Sequence, residues 1–162
     1  MAIYMNMSNV SGNVSAKNFA DWVALDSVIW GVKRVSDAEA GREHERTFGV
    51  PNFSEVTITK KIDQASPVLF SQACIATVIK KVVVCVVQTS NELVPYLEYT
   101  LSNAIFTRFS HQLTESEQGD CLQESLEVNF KQISMRYFPR DEKQILLGPL
   151  VAGYDVAELE LL

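Results

Sequence analysis

The stretch Ser54–Phe70, SEVTITKKIDQASPVLF, changes its period midway. Val56 and Ile58 alternate with Thr57 and Thr59, the two-residue repeat of a strand with one buried face. Leu69, Phe70, Ala73 and Cys74 then follow at helical spacing. Ser66 is expected to cap that helix and Pro67 to take its first position, with an end near Thr77. Away from this junction the two-residue period prevails. Ile3, Met5 and Met7 keep it, as do Leu97, Tyr99 and Leu101.

Three segments carry the main expectations. In Leu25–Arg34, Val28, Trp30 and Val32 share the face expected in the core, and Ser27, Ile29, Gly31 and Lys33 share the other. From Leu126 to Phe138 the apolar phase runs through Val128 and Phe130 and then shifts to Ile133, Met135 and Tyr137. A long strand bent by a one-residue bulge is expected there. Val82–Val87 is apolar on both faces, so it is either central in a sandwich or covered by another subunit. Ser15–Trp22 is a candidate for a second, shorter helix.

Two segments lack a period. Val35–Asn52 is dense in charge and long for a connection, which suits a functional loop. Pro139–Leu162 is acidic but ends in apolar Val156, Leu159, Leu161 and Leu162, a tail able to dock on a surface. The expected fold is mainly β: a two-sheet β-barrel or sandwich with one flanking helix and a long extended loop. The chain is read as one domain over 1–162, with 35–52 as the loop and 139–162 as a C-terminal extension.

The composition narrows the function. The chain has 162 residues, of which 47% are hydrophobic and 21% charged, a globular composition for one core that needs no disulfide or metal. A net charge of −6 disfavours nucleic acid. The Val82–Val87 run is far short of the roughly 20 residues of a membrane helix, so no membrane insertion is expected. Met1–Asn13 does not read as a secretory signal, which places the protein initially in the cytoplasm. Cys74, Cys85 and Cys121 form no metal or disulfide spacing, and Cys85 among valines reads as an inert buried thiol. His44 and His111 read as loop or turn histidines. Glu39, Glu43 and Glu45 are interleaved with Arg42 and Arg46, which suits a self-paired solvated loop better than a cation site. There is no G-x-G-x-x-G, P-loop or G-x-S-x-G string. Neither an enzyme nor a cofactor is indicated.

Five strings in order resemble the haemolysin-coregulated protein (Hcp) family, the tube protein of bacterial type VI secretion systems. They are LDSVIWGVKR (25–34), SEVTITKKIDQASPVLF (54–70), YLEYTLSNAIFTRFS (96–110), ESLEVNFKQISMRY (124–137) and GPLVAGYDV (148–156). No one string is diagnostic; the five together are. The chain departs from the family pattern in its charged 35–52 loop and in lacking a Gly after the helix.

The resemblance implies a homohexameric ring, with rings stacked into a hollow tube that carries or chaperones effector proteins and is itself secreted without a cleaved signal. Partners would then be the chain itself, spike and sheath components, and effectors in the lumen. The lumen face falls on Ser27, Ile29, Gly31 and Lys33, with Glu55, Thr57, Thr59, Lys61, Glu127, Asn129 and Lys131 ranked second. Such a wall should select cargo by size and surface charge rather than by a pocket. Subunit or ring-stacking contacts fall on Asp37, Glu39, Arg42, Glu43, His44, Glu45 and Arg46. A phage-tail-tube-like module outside secretion is the alternative, and a hydrolase using Cys85 or His111 stands well behind.

Overall fold

The computed structural model describes residues 1–37, 47–89, 93–115, 119–141 and 145–162. Two antiparallel sheets pack face to face and share one strand. The larger contains β1 (Ala2–Met7), β2 (Val23–Leu25), β9 (Ile79–Thr89), β10 (Leu93–Thr114), β12 (Gln132–Tyr137), β13 (Leu150–Asp155) and β14 (Glu160–Leu161), in the order β2-β1-β9-β10-β12-β13-β14. The smaller runs β3-β8-β11-β10, with β3 at Ser27–Ile29, β8 at Val56–Lys61 and β11 at Cys121–Asn129. Among the described residues the sheets form a sandwich joined at β10 and do not close into a barrel.

Alternation sets the core. Met5, Met7, Val82, Val84, Leu101 and Ile133 of the large sheet meet Val56, Ile58, Leu126 and Val128 of the small one, all buried. Leu69 of helix α1 (Ser66–Ile75) joins them, fully buried. Each such side chain contributes roughly 1.5–3 kcal/mol on burial, which pins the strand registers, because a one-residue slip would move the whole set to solvent.

The helix begins one residue earlier than the Ser66 cap allows. Ala65 is the N-cap and Ser66 is already helical, so Pro67 stands second rather than first. The Ser66 hydroxyl accepts from the Asp63 amide at 3.1 Å, and the Asp63 carboxylate accepts from the Ala65 amide at 2.9 Å. The helix ends at Ile75, and Ala76 closes it at φ 49°, ψ 42°, a left-handed conformation that normally selects glycine.

The face read from Leu25–Arg34 needs correction. Val28 and Trp30 pack on the core, with the Trp30 ring edge-on to Tyr99 at 5.4 Å. Val32 is 52% exposed. The chain leaves the small sheet after Ile29. β4 (Val32–Lys33) pairs only with β7 (Asn52–Phe53) in a separate ribbon, so no second layer covers Val32. Ser15–Trp22 is not a helix. Its turns place Asn18 at φ 71° and Asp21 at φ 64°, which interrupts any helical run.

This turn segment does something the two-residue period could not show. Phe19, Trp22, Val14 and Ala16 cover Cys85 and Val87 on the outer face of β9, while Val82 and Val84 face the core. β9 is therefore central and covered on both faces by its own chain, so its apolarity carries no indication of a neighbouring subunit.

The phase shift after Phe130 has a related cause. β11 and β12 both run antiparallel to β10, and the register is the same on either side of Phe130 and Lys131, Ile105 facing Asn129 and Ser102 facing Gln132. Opposite these two residues, Asn103 adopts φ 50°. The expected bend is there, as a corner where the chain passes between sheets. The ladder irregularity lies on β10 instead, between Phe106 and Arg108.

Beyond β4, β5 (Ser36–Asp37) pairs with β6 (Thr47–Phe48), and the Gly49 amide donates to the Val35 carbonyl at 3.0 Å. The described ends of the 35–52 segment thus pair with each other as an antiparallel ladder. At the other end of the chain, β13 extends the large sheet along β12.

Candidate functional site

The small sheet has one face in the core and, among the described residues, the other uncovered. Because its strands alternate, the uncovered face collects the polar residues of four strands, and the registers align them in rows. Ser110, Ser125, Thr59 and Ser27 form one row, and Arg108, Glu127, Thr57 and Ile29 the next. Gln112, Gln123 and Lys61 form a third. The hydroxyls of Ser27 and Thr59 are 2.6 Å apart. Arg108 pairs with Glu127 at 3.3 Å, an exposed ion pair worth little in energy that leaves the row without net charge. Ile29, 64% exposed, is the apolar exception.

Of the residues first assigned to this face, Ser27 and Ile29 lie on it and join Thr57, Thr59, Lys61 and Glu127 across strands. Gly31 and Lys33 lie beyond it. They line a shallow groove with Val32, Asn52 and Ser54 at the base of the β4–β7 ribbon, where Gly31 and Ser54 exchange hydrogen bonds of 2.9 Å. Glu55 accepts from Asn129 at 3.5 Å at the margin. Lys131 sits at the corner after Phe130 and pairs with Glu158. Sequence reading missed Arg108, Ser110 and Gln112 on β10, although they alternate with Phe109, His111 and Leu113 in the period that marks a two-faced strand.

Of the loop candidates, Asp37 pairs through its backbone with Thr47. Glu39, Arg42, Glu43, His44, Glu45 and Arg46 lie outside the described residues.

Behind the polar face lies a second feature that sequence reading missed. Lys60 and Glu124 are both fully buried, 3.3 Å apart, on the core-facing sides of β8 and β11. The Lys60 ammonium also donates to the Asp63 carboxylate and the Lys61 carbonyl, each at 2.8 Å, and to the Ser66 hydroxyl at 3.2 Å. The other Glu124 oxygen lies 3.0 Å from His111 Nε2. His111 is thus a strand residue partnered by a carboxylate, not a turn histidine. The detectable signal is phase: Lys60 follows Val56 and Ile58, and Glu124 precedes Leu126 and Val128, so charges of opposite sign occupy core positions on two strands. This cluster ties α1 to the back of the polar sheet. Burial, then the nearby charge of Glu98, pushes the Cys85 thiol up to about 11, so it stays protonated and unreactive.

Among the described residues no group of three or more His, Cys, Asp or Glu is arranged to hold a metal ion. The polar face is hydroxyl-rich, with Ser27, Thr57, Thr59, Ser110 and Ser125 aligned across its strands, and it can hydrogen-bond a passing surface.

The chain matches the family model described as "Type VI secretion system effector, Hcp" over residues 4–137. No curated protein sequence matches it. Among solved structures it is similar to a type six secretion system protein (TM-score 0.91, 17% identity, 99% of each chain covered). It is also similar to Hcp1 from Salmonella typhimurium (TM-score 0.78, 19% identity, 99% of this chain and 98% of that one). A type VI secretion system effector from Yersinia pestis gives TM-score 0.70 at 19% identity, over 95% of this chain and 99% of that one.

Proposed function

The chain belongs to the Hcp family of type VI secretion tube proteins, and from that membership we propose that it is a tube subunit: six copies close into a ring, rings stack into a hollow tube, and the polar face of the small sheet lines the lumen. The observation that carries this reading is that face, a flat, nearly neutral surface on a four-stranded sheet whose margins, β3 and the 105–114 half of β10, each pair with a strand on one side only among the described residues.

Six such sheets set side by side bring about 24 strands to one wall. At a spacing of about 4.8 Å that is a circumference of roughly 115 Å and a bore of about 37 Å between backbones, wider once the strands tilt. A bore of that size admits a small folded domain. In this reading the chain is one structural unit over 1–162 without catalysis. It starts in the bacterial cytoplasm, carries effectors in the lumen, meets spike and sheath components at the tube ends and leaves the cell with them. The 35–52 ladder reaches an adjacent subunit or the next ring.

Negative-stain imaging and light scattering of the purified protein test the reading. Rings with six-fold symmetry are expected, and a monomer at every concentration would refute it.

A further inference from the structure

The polar face of the small sheet is nearly neutral, but its charges are unevenly placed. Arg108 and Glu127 cancel each other at 3.3 Å in one row, and the row of Ser27, Thr59, Ser110 and Ser125 carries no charge. The row beyond holds Lys61 beside Gln123 and Gln112, with Lys61 exposed. The carboxylates of Asp63 and Glu124, which stand near it in sequence and across the strand pair, are both engaged behind the sheet by the buried Lys60. Among the described residues no ion pair includes Lys61.

Distance decides whether Glu55, at the other margin of the face, balances this cation. Six residues separate the two, about 20 Å along a strand, whereas physiological salt screens a charge within roughly 8 Å. The two ends of the face therefore present themselves separately, and the Lys61 end is cationic.

We propose that Lys61 sets the sign of the cargo: in the ring, on whose reading above this inference rests, six copies form a cationic belt at one end of the lumen, and the belt holds proteins by an acidic surface. On a wall of roughly 115 Å the six stand about 19 Å apart, too far to repel one another through salt and close enough for one small domain to touch two or more. A single exposed ion pair is weak, and several made at once multiply. The hydroxyl row beside the belt adds hydrogen bonds. Nucleic acid is the competing polyanion, and this face suits it poorly. None of the residues in the three rows is aromatic, so bases find no stacking platform, and a net charge of −6 on each chain repels a phosphate backbone.

The test uses two fluorescent probes, a small folded domain with a net surface charge of about −8 and a short single-stranded DNA. Light scattering first confirms rings of the full-length protein, and anisotropy then reads binding to them. Wild-type rings are expected to bind the acidic domain, at least tenfold more weakly once salt is raised to about 0.5 M. Lys61→Gln should weaken binding at least tenfold. Gln123→Glu, which sets a carboxylate directly opposite Lys61, should do the same with the lysine in place. Lys17→Gln makes the same charge change in the exposed turn segment over the outer face of β9 and should stay within twofold of wild type. Rings of Lys61→Gln or Gln123→Glu that bind the acidic domain like wild type would overturn the inference and leave the ring reading standing. So would salt-independent binding, or tighter binding of the DNA. Loss of the ring in both variants would make the row an interface and overturn it too, whereas a wild type that never assembles would refute the ring reading itself.

Discussion

Replacing Lys60 by Met should be among the most damaging single changes in this protein. With His111 counted neutral, the buried cluster sets one positive charge against two negative ones, those of Asp63 and Glu124. Removing Lys60 leaves two carboxylates facing each other, one of them with no exposure at all. Breaking a buried pair in this way costs about 3–5 kcal/mol, which for a chain of this size lowers the melting temperature by roughly 6–20 °C. Glu124→Gln should be milder, although it breaks the same pair. Lys60 keeps Asp63 at 2.8 Å, the Lys61 carbonyl and the Ser66 hydroxyl, and the remaining charges balance. The loss is then that of one charged hydrogen bond, about 1.5 kcal/mol. The double variant Lys60→Met, Glu124→Leu removes both buried charges and should recover much of the single-variant loss. Urea unfolding at constant slope measures all three. If Glu124→Gln cost as much as Lys60→Met, or if Lys60→Met cost less than about 1 kcal/mol, the charge accounting of this cluster would be wrong.

Ala76→Gly should raise stability by about 0.5–1 kcal/mol, read as a higher melting temperature, because it relieves a left-handed alanine at the helix end. The Asp155 carboxyl is held below its ordinary range, first by the Gln132 side chain, then by the amides of Glu158 and Ala157. A lowered folded value gives stability that is present above the unfolded pKa and lost as pH falls through the folded one. The stability gap between wild type and Asp155→Asn should therefore be full above about pH 5, begin to shrink as pH falls past the unfolded value of about 3.9, and close only below the still lower folded value. Ser27→Glu and Ile29→Glu should leave rings intact and lower cargo retention, checked by co-purification of cargo alongside imaging. Loss of the rings would make that face an interface, and unchanged cargo would show that it is not the wall.

The strand-to-helix junction at Ser54–Phe70 was legible because each half keeps a period that only one secondary structure satisfies. Val32 shows the limit. Its alternation with Trp30 is real, yet whether a second layer stands behind a residue is a tertiary fact. The same limit hid the cover on β9: Phe19 and Trp22 lie in turns whose positive-φ Asn18 and Asp21 break a segment that otherwise offered a short helix. The polar face was half legible. Alternation assigned Ser27, Thr59 and Glu127 to outward faces one strand at a time. Their alignment into rows with Ser110 and Arg108 depends on registers between strands far apart in sequence, which no local pattern encodes. Lys60 and Glu124 were visible as charges in core phase, but their meeting required β8 and β11 to be neighbours.

The 22 residues of β10 belong to both sheets, a path of roughly 70 Å in one covalent strand. In an ordinary sandwich, force applied to one sheet reaches the other through side-chain contacts that slide. Here it travels through peptide bonds, and the ladders to β9, β11 and β12 load in shear on either side of the Asn103 corner. A chain built this way resists having its layers pulled past one another, a stiffness suited to a tube protein.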